Sequence, residues 1–306
     1  MTSLWQSSAA NVLARSSPSR MALGTVQVGM RYGVANAVGR VSLKEATKIL
    51  SVARNHGIDL LDTAISYGES EETLGDAGVG EWKVVTKLPA LPDNCTDVGG
   101  WVQIQIVGSL ERLHLNKLYA VLLHHPKQLF ESNGRNLFKA LCMLKEGGYA
   151  TKIGVSIYSP EELEMLFRDM HFDVVQAPLN VLDRRLVESG WARRLKRLRV
   201  ELHTRSAFLQ GLLLMPSVTR PRKFKRWDSI WSTWECWLHQ YKLTPLEACL
   251  RYALSVAEVD RVVLGVDSVA QMLEMLAVPS AKLPELPKYE LEVDEVLINP
   301  SLWGAL

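Results

Sequence analysis

Four residues whose side chains can hold or move a proton each follow a short apolar run of the sequence. These residues are Asp62, Tyr67, Lys87 and His124. The runs are rich in leucine or β-branched residues, as buried strands are: GIDLLDTAISYG (57–68), WKVVTKL (82–88) and LYAVLLHHP (118–126). Parallel strands that close into a barrel all end on one face, so the four side chains are predicted to share one pocket there.

Together these four side chains suit the protonation of a carbonyl oxygen. A tyrosine phenol ordinarily has a pKa near ~10 and is a poor acid at neutral pH, but a lysine ammonium beside it favours the phenolate. An aspartate paired with the lysine offsets the cost of burying its charge. A histidine can hydrogen-bond the substrate oxygen. Because no side chain donates hydride, a nicotinamide cofactor is implied.

The composition is that of a globular protein with a full core. Its 306 residues fit one large domain, and 47% of them are hydrophobic. The formal net charge of +2 does not favour a polyanionic partner, and no apolar run reaches membrane-spanning length. The four cysteines are scattered without paired spacing, which argues against a disulfide framework and fits a reducing, cytoplasmic location.

The first twenty residues differ in composition from the rest of the chain. They are rich in serine and alanine, contain two arginines and have no acidic residue. A transit peptide can have this composition. We favour an N-terminal extension over residues 1–20, but a targeting segment remains the alternative.

Eight strand-then-helix units follow, which predicts a single (β/α)8 TIM barrel over residues 21–306. The strands are predicted to end near Val28, Ala64, Leu88, His125, Ile157, Asn180, Ala207 and Val266. The helices are predicted near 44–56, 70–77, 98–114, 134–147, 159–169, 189–198, 243–257 and 268–277. Ser42 with Glu45 three residues later indicates a capping box at the start of the first helix.

Two segments fall outside this alternation. Residues 216–242 form an insertion after the seventh strand, and residues 279–306 form a C-terminal tail. The insertion begins with a basic stretch, which we expect to be exposed, and continues through Trp227, Trp231, Trp234 and Trp237. Spacings of four, three and three put these rings on one helical face. We favour packing on the barrel rim over a role in lining the pocket.

The chain resembles the aldo/keto reductase superfamily. The segments that carry the resemblance are LGTVQVG (23–29), GIDLLDTAISYGESEETLG (57–75), VVTKL (84–88), SLERLHLNKLYAVLLHHP (109–126), IGVSIYSPEEL (153–163), VVQAPLN (174–180) and SAFLQGLLL (206–214). A Gly-Thr-Val-Gln…Tyr-Gly…Asn pattern between Gly24 and Asn36 is similar to one branch of that superfamily. The resemblance implies a (β/α)8 barrel that carries out NADP-linked reduction of aldehydes or ketones, or oxidation of the corresponding alcohols.

The resemblance also implies roles for individual residues. Tyr67 would be the general acid and base, tuned by Lys87 and Asp62, and His124 would orient the carbonyl. Ser156 and Gln176 would hold the nicotinamide carboxamide. The remaining residues implied to border the cofactor are Gly24, Thr25, Val26, Arg205, Ser206, Gly265 and Gln271.

Several positions depart from the pattern of the superfamily. Ile157 stands where an asparagine is usual, and Arg205 stands where a tyrosine commonly stacks on the nicotinamide. After the eighth strand, Gly265, Gln271 and Met275 occupy places where a lysine and an arginine usually bind the 2′-phosphate of NADP. We therefore expect NADP as the cofactor, with NAD possible and the preference between them weakened.

Other interpretations of these residues are weaker but stay open in part. Each of the four site residues alone could be an ordinary strand-end residue, and it is their joint placement that favours catalysis. His124-His125 lacks a third metal ligand at useful spacing, and we assign no metal. The basic run 193–199 is typical of a charged outer helix rather than a nucleic-acid site.

The partner is expected to be a small carbonyl or alcohol, with no nucleic acid and no membrane. The rival function is a nucleotide-binding regulatory or assembly barrel without turnover. The physiological substrate and the oligomeric state stay open.

Overall fold

Eight parallel strands close into a barrel in chain order, which confirms the predicted fold class. The computed structural model describes residues 17–36, 38–289 and 293–306. The strands are β1 (Met21–Gly24), β2 (Leu60–Asp62), β3 (Lys83–Leu88), β4 (Leu118–Leu123), β5 (Ala150–Ser156), β6 (Val174–Pro178), β7 (Glu201–Arg205) and β8 (Arg261–Gly265). Pairing of β1 with β8 closes the sheet and sets Gly24 beside Gly265.

Helices follow the strands and surround the barrel. The longer ones are α1 (Leu43–Asn55), α2 (Ser70–Ala77), α3 (Val98–Leu113), α4 (Gly134–Glu146), α5 (Glu161–Asp169), α6 (Trp191–Arg197), α7 (Asp228–Tyr241), α8 (Pro245–Ser255) and α9 (Val269–Leu276). Short α-helical turns cover Val26–Gly29, Arg185–Glu188 and Glu295–Ile298. Short 3-10 turns cover Ser17–Arg20, Pro126–Phe130, Leu212–Leu214, Ser217–Thr219, Arg222–Trp227 and Pro300–Ala305. No described helix is long and apolar enough to cross a bilayer.

The barrel interior is a small apolar core that forms a floor beneath the strand ends. Its buried members are Ala22, Leu60, Val85, Ala120, Leu122, Val174 and Val263. Side chains alternate along a strand, so the residue two positions after each of these points to the same side. Asp62 follows Leu60 in this way and Lys87 follows Val85. The strands thus carry both polar groups into the mouth of the barrel, above the apolar floor.

The first strand is shorter than predicted. It ends at Gly24 instead of near Val28, and Val26–Gly29 forms a helical turn. The alternating apolar residues of LGTVQVG are typical of a strand, but contacts to neighbouring elements decide the backbone here. The Thr25 amide and hydroxyl both donate to the Asp62 carbonyl oxygen at 3.0 Å, which turns the chain away from the sheet.

The predicted capping box at α1 forms only in part. The Ser42 hydroxyl accepts from the Glu45 amide at 3.3 Å, as predicted. The Glu45 carboxylate instead accepts from the Val269 amide at the start of α9, at 3.0 Å. A tertiary contact between α1 and α9 thus replaces a local hydrogen bond, and sequence spacing does not encode it.

The insertion after β7 contains α7, and its tryptophans pack as predicted. Trp227, Trp231, Trp234 and Trp237 are all buried, and none of them lines the large cavity described below. The prediction that the preceding basic stretch is exposed was wrong for Phe224, which is fully buried. Its ring lies 4.7 Å from that of Trp303 in the C-terminal tail, so Phe224 belongs to the core between insertion and tail, while Arg222, Lys225 and Arg226 are exposed.

The N-terminal extension predicted over residues 1–20 lies mostly outside the described residues. Only its last part is described, as the 3-10 turn Ser17–Arg20 before β1. Strand β1 begins directly after this turn, at Met21, and the boundary between an extension and the barrel stays a prediction.

Candidate active site

Lys87 lies at the centre of the site, between an aspartate and a tyrosine. Its Nζ donates to Asp62 Oδ1 at 2.6 Å and to the Thr63 carbonyl oxygen at 2.9 Å. The same Nζ lies 3.5 Å from the Tyr67 hydroxyl. The side chain is only 1% exposed, so it is not a solvated strand end. Burial by itself would lower the pKa of Lys87, but Asp62 and Tyr67 outweigh burial and raise that pKa, which keeps the ammonium charged.

Tyr67 is held by a close approach between two backbone segments. Its carbonyl oxygen accepts from the Ser70 amide at 3.1 Å. A Cβ built on Gly29 would lie 1.7 Å from that same oxygen and 2.5 Å from the Ser70 nitrogen. Only glycine fits at position 29, because any larger residue would force the Tyr67 loop to move.

Replacing Gly29 with alanine is therefore expected to displace Tyr67 and lower turnover at least ~10-fold, because small misplacements of reacting groups are costly. The matched control is Gly80→Ala, since an added Cβ at Gly80 meets no atom within 4 Å. Steady-state kinetics and thermal unfolding of both variants would check this. Equal turnover in Gly29→Ala and Gly80→Ala would contradict the positioning role.

His124 lies beside Tyr67 and is uncharged at neutral pH. The two rings meet edge to face, with centroids 5.9 Å apart. His124 Nδ1 lies 3.3 Å from the Ser66 hydroxyl oxygen. Burial lowers the pKa of His124 to about 3, and the positive charges of Lys87 and Arg205 act in the same direction. A neutral imidazole can donate one hydrogen bond to a substrate oxygen without protonating it.

The low pKa of His124 predicts a loss of stability on mild acidification. An unfolded histidine takes up a proton below its ordinary pKa of 6.5, whereas folded His124 stays neutral until about 3. The unfolded state is therefore favoured by up to about 2 kcal/mol more near pH ~5 than near pH ~7. Urea unfolding of the parent and of His124→Gln would measure this. The same pH dependence in both proteins would show that His124 is not its source.

Behind Asp62 lies a second layer of buried polar side chains. Gln176 Nε2 donates to Asp62 Oδ2 at 2.6 Å, and the Ser156 hydroxyl donates to Gln176 Oε1 at 3.1 Å. Gln176 and Ser156 are buried and do not line the cavity. In this structure they orient Asp62, so both oxygens of its carboxylate are hydrogen-bonded. Their implied contact with a nicotinamide carboxamide stays a prediction.

A cavity of about 410 Å³ opens at the strand ends next to Tyr67. The site residues predicted from the sequence that line it are Gly24, Thr25, Val26, Asp62, Tyr67, Arg205, Ser206, Gly265 and Gln271. Lys87 and His124 do not line the cavity themselves. Lys87 contacts the lining residue Asp62, and the His124 ring contacts the lining residue Tyr67. Most of the residues implied to border a cofactor are thus brought together around one space.

The cavity wall has features that fit a nucleotide. Gly24 and Gly265 pair across β1 and β8, and both line the cavity without a side chain of their own. A Cβ on Gly265 would lie 2.2 Å from Gln27 Nε2, so the Gln27 side chain lies over this glycine. Gln27 Oε1 is buried and has no hydrogen-bond partner in the described part of the chain. A ligand hydroxyl or amide in the cavity would satisfy it.

Sequence reasoning did not assign a role to Tyr32, which lines the same cavity. Gln210 Nε2 donates to the Tyr32 hydroxyl at 3.1 Å. Burial raises the pKa of Tyr32 to about 12, and the nearby Tyr67 adds to this rise, so Tyr32 stays protonated. The one available signal was its place in the Tyr-Gly…Asn pattern. Irregular loops offer no periodicity from which a side-chain direction can be predicted.

The structure is thus a (β/α)8 barrel with a buried Asp–Lys pair, a tyrosine and a neutral histidine at the strand ends. The family model described as the Aldo/keto reductase family matches residues 20–292. The chain belongs to this family.

Two curated relatives share the family. An aldo-keto reductase of Mycolicibacterium smegmatis is 34% identical over 151 residues, which is 45% of this chain and 49% of the relative. The aldo-keto reductase YhdN of Bacillus subtilis is 25% identical over 182 residues, which is 56% of this chain and 53% of the relative. The chain thus spans about half the length of the curated relatives that it matches.

Solved structures have the same fold at lower sequence identity. The holo form of aldo-keto reductase AKR11C1 from Bacillus halodurans matches with a TM-score of 0.69 at 19% identity, covering 90% of this chain and 95% of that one. The glycerol dehydrogenase AKR11B4 from Gluconobacter oxydans matches with a TM-score of 0.63 at 21% identity, covering 86% and 88%. These similarities support the barrel architecture.

Proposed function

We propose that the protein reduces an aldehyde or ketone, or oxidises the corresponding alcohol, with a nicotinamide dinucleotide and with Tyr67 as the general acid and base. The observation that supports this most is the buried Lys87 ammonium, held by Asp62 at 2.6 Å and placed 3.5 Å from the Tyr67 hydroxyl. A buried cation beside a phenol stabilises the phenolate that remains after proton donation.

Each of the four residues has its own role in a single proton transfer. Tyr67 donates its hydroxyl proton to the carbonyl oxygen during reduction and takes it back during oxidation. Lys87 stabilises the phenolate, while Asp62, fixed by Gln176, keeps the ammonium in place. Since Nδ1 of His124 is near Ser66, Nε2 is the ring nitrogen for orienting the carbonyl oxygen. The hydride for the carbonyl carbon would come from a reduced dinucleotide when one is bound.

The cavity residues would hold the dinucleotide. Gly24 and Gly265 line the cavity, the Gln27 side chain lies over Gly265, and Gln27 Oε1 offers an unused acceptor. Arg205 lies at the end of β7, where its guanidinium is packed over Tyr158 at 4.7 Å and lines the cavity. A planar guanidinium in this position can stack against an aromatic ring of the ligand.

The test is cofactor binding followed by turnover. Nicotinamide fluorescence would report binding of NADH and NADPH, and a panel of aldehydes and keto-sugars would report catalysis. Binding with turnover on at least one carbonyl supports the enzyme. Binding without turnover on any member of the panel would favour the regulatory or assembly barrel, and absence of binding would refute both.

A further inference from the structure

The cavity has an inner and an outer end. Tyr67 and Asp62 line the inner end, in the mouth of the barrel. Beyond the ends of β7 and β8 the cavity continues between α8 and α9, where its wall contains Thr244, Pro245, Leu246, Gln271, Glu274 and Met275. If the proposed function is right, the inner end would hold the reactive ring. The outer end, against α9, would hold the adenosine end of the dinucleotide.

The first turn of α9 already uses its amides on groups of the chain itself. The Val269 amide donates to Glu45 Oε1 at 3.0 Å, and the Gln271 amide donates to the Ser268 hydroxyl oxygen at 3.2 Å. Helix starts after the last barrel strands commonly bind phosphate through such amides. Here an acidic side chain occupies that place.

Carboxylates also dominate the charge around this outer end. Asp267 lines the cavity and is held by Asn36, whose Nδ2 donates to Asp267 Oδ1 at 3.2 Å. Glu274 lines the cavity from the exposed face of α9. Lys48 lies 3.6 Å from Glu45 and offsets one of the three acids. Arg31 Nη2 donates to the Asn36 carbonyl oxygen at 3.3 Å and offsets a second acid, so these three carboxylates exceed these two cations by one charge.

Three basic side chains on the β7 side of the cavity, Arg205, Arg220 and Lys223, make contacts within the protein. Of the described residues that line the cavity, Arg205 alone is cationic, and its Nη2 donates to the Ile157 carbonyl oxygen at 3.0 Å. In the insertion, Arg220 pairs with Glu235 at 3.1 Å. Lys223 Nζ donates to the Trp303 carbonyl oxygen at 2.8 Å. Neither Arg220 nor Lys223 lines the cavity.

We infer that Asp267, with Glu274 and Glu45, makes this site select the dinucleotide with a free 2′-hydroxyl, NAD(H), over its 2′-phosphorylated form. A phosphate monoester carries a charge of about −1.5 to −2 near neutral pH and would be repelled by these carboxylates. A ribose hydroxyl, in contrast, donates a hydrogen bond to a carboxylate. The inference rests on the proposed function and refines the cofactor expected from the family resemblance.

The experiment is a direct binding measurement on the full chain with NADH and NADPH as probes, by fluorescence and by calorimetry, with no substrate present. NADH is expected to bind at least ~10-fold more tightly than NADPH, a ratio that falls as salt is added. A smaller ratio, or tighter binding of NADPH, would overturn this inference and leave the proposed function intact. Failure to bind either dinucleotide would overturn both.

Variants that remove the charges of the acidic residues test whether those charges cause the preference for NADH over NADPH. Glu45→Gln with Asp267→Asn keeps the hydrogen-bond acceptors and removes two charges, so the NADPH to NADH ratio of Kd values should fall at least ~3-fold. Glu274→Gln, on an exposed face, should act in the same direction and does not threaten folding. Glu146→Gln, at the exposed end of α4, is the matched control and should leave the ratio unchanged. An unchanged ratio in the Glu45, Asp267 and Glu274 variants would refute the assignment.

Discussion

Replacing Tyr67 with phenylalanine is expected to lower turnover at least ~100-fold, the usual scale of general acid catalysis. The variant loses one hydroxyl and keeps the ring that meets His124 edge to face. Dinucleotide affinity should change little, because no bond to the ligand other than the reacting one is lost. Steady-state kinetics with a binding titration would measure both quantities.

The matched control is Tyr149→Phe, which removes a phenol at the far end of the barrel, before β5. It should retain full turnover. Near-parental turnover in Tyr67→Phe would refute the assignment of Tyr67 as the acid. A large loss of dinucleotide affinity would instead assign the residue to binding.

Replacing Lys87 with methionine is expected to have the second large effect. Without the ammonium, the phenolate needed for alcohol oxidation forms only at higher pH, so the pH dependence of oxidation should shift upward. The variant should also be less stable, by about 3–5 kcal/mol, because Asp62 would be a buried carboxylate without its cation. Rate–pH profiles and urea unfolding would measure the two effects.

The direction of the pH effect on stability follows from the raised pKa of Lys87. The charge contributes stability below the ordinary lysine pKa of 10.5, and this contribution is lost as pH rises through the higher folded value. Lys87→Met should therefore be least stable relative to the parent across neutral pH. If it fails to fold, Lys87→Met with Asp62→Asn removes both charges and keeps the test of the rate profile. An unchanged rate profile in either protein would contradict the coupling between Lys87 and Tyr67.

Much of the fold and the polar centre could be predicted from the sequence because both depend on local patterns. Short apolar runs predict strands, and parallel strands in a barrel end on one face. That rule was enough to place Asp62, Lys87 and His124 near one another. It also predicted the buried face of α7, because tryptophans spaced by three and four lie on one side of a helix.

What could not be predicted depends on contacts between residues far apart in the chain. Position 29 requires glycine because the Tyr67 backbone lies against it. The Glu45 carboxylate accepts a hydrogen bond from the Val269 amide instead of capping its own helix. The hydrogen bonds that link Ser156 and Gln176 to Asp62 join residues from three different strands, and no local pattern indicates them. Side-chain direction in a loop such as that of Tyr32 has no periodic signal.

The most direct test of the central claim follows the hydride and the proton in one reaction. The parent and Tyr67→Phe would be loaded with a reduced dinucleotide carrying deuterium at the transferable position, mixed with the aldehyde and ketone panel, and analysed by mass spectrometry. We predict an alcohol from the parent that carries deuterium at the former carbonyl carbon, with its formation at least ~100-fold slower in Tyr67→Phe. A parent enzyme that binds the dinucleotide yet transfers no deuterium to any carbonyl in the panel would contradict the account.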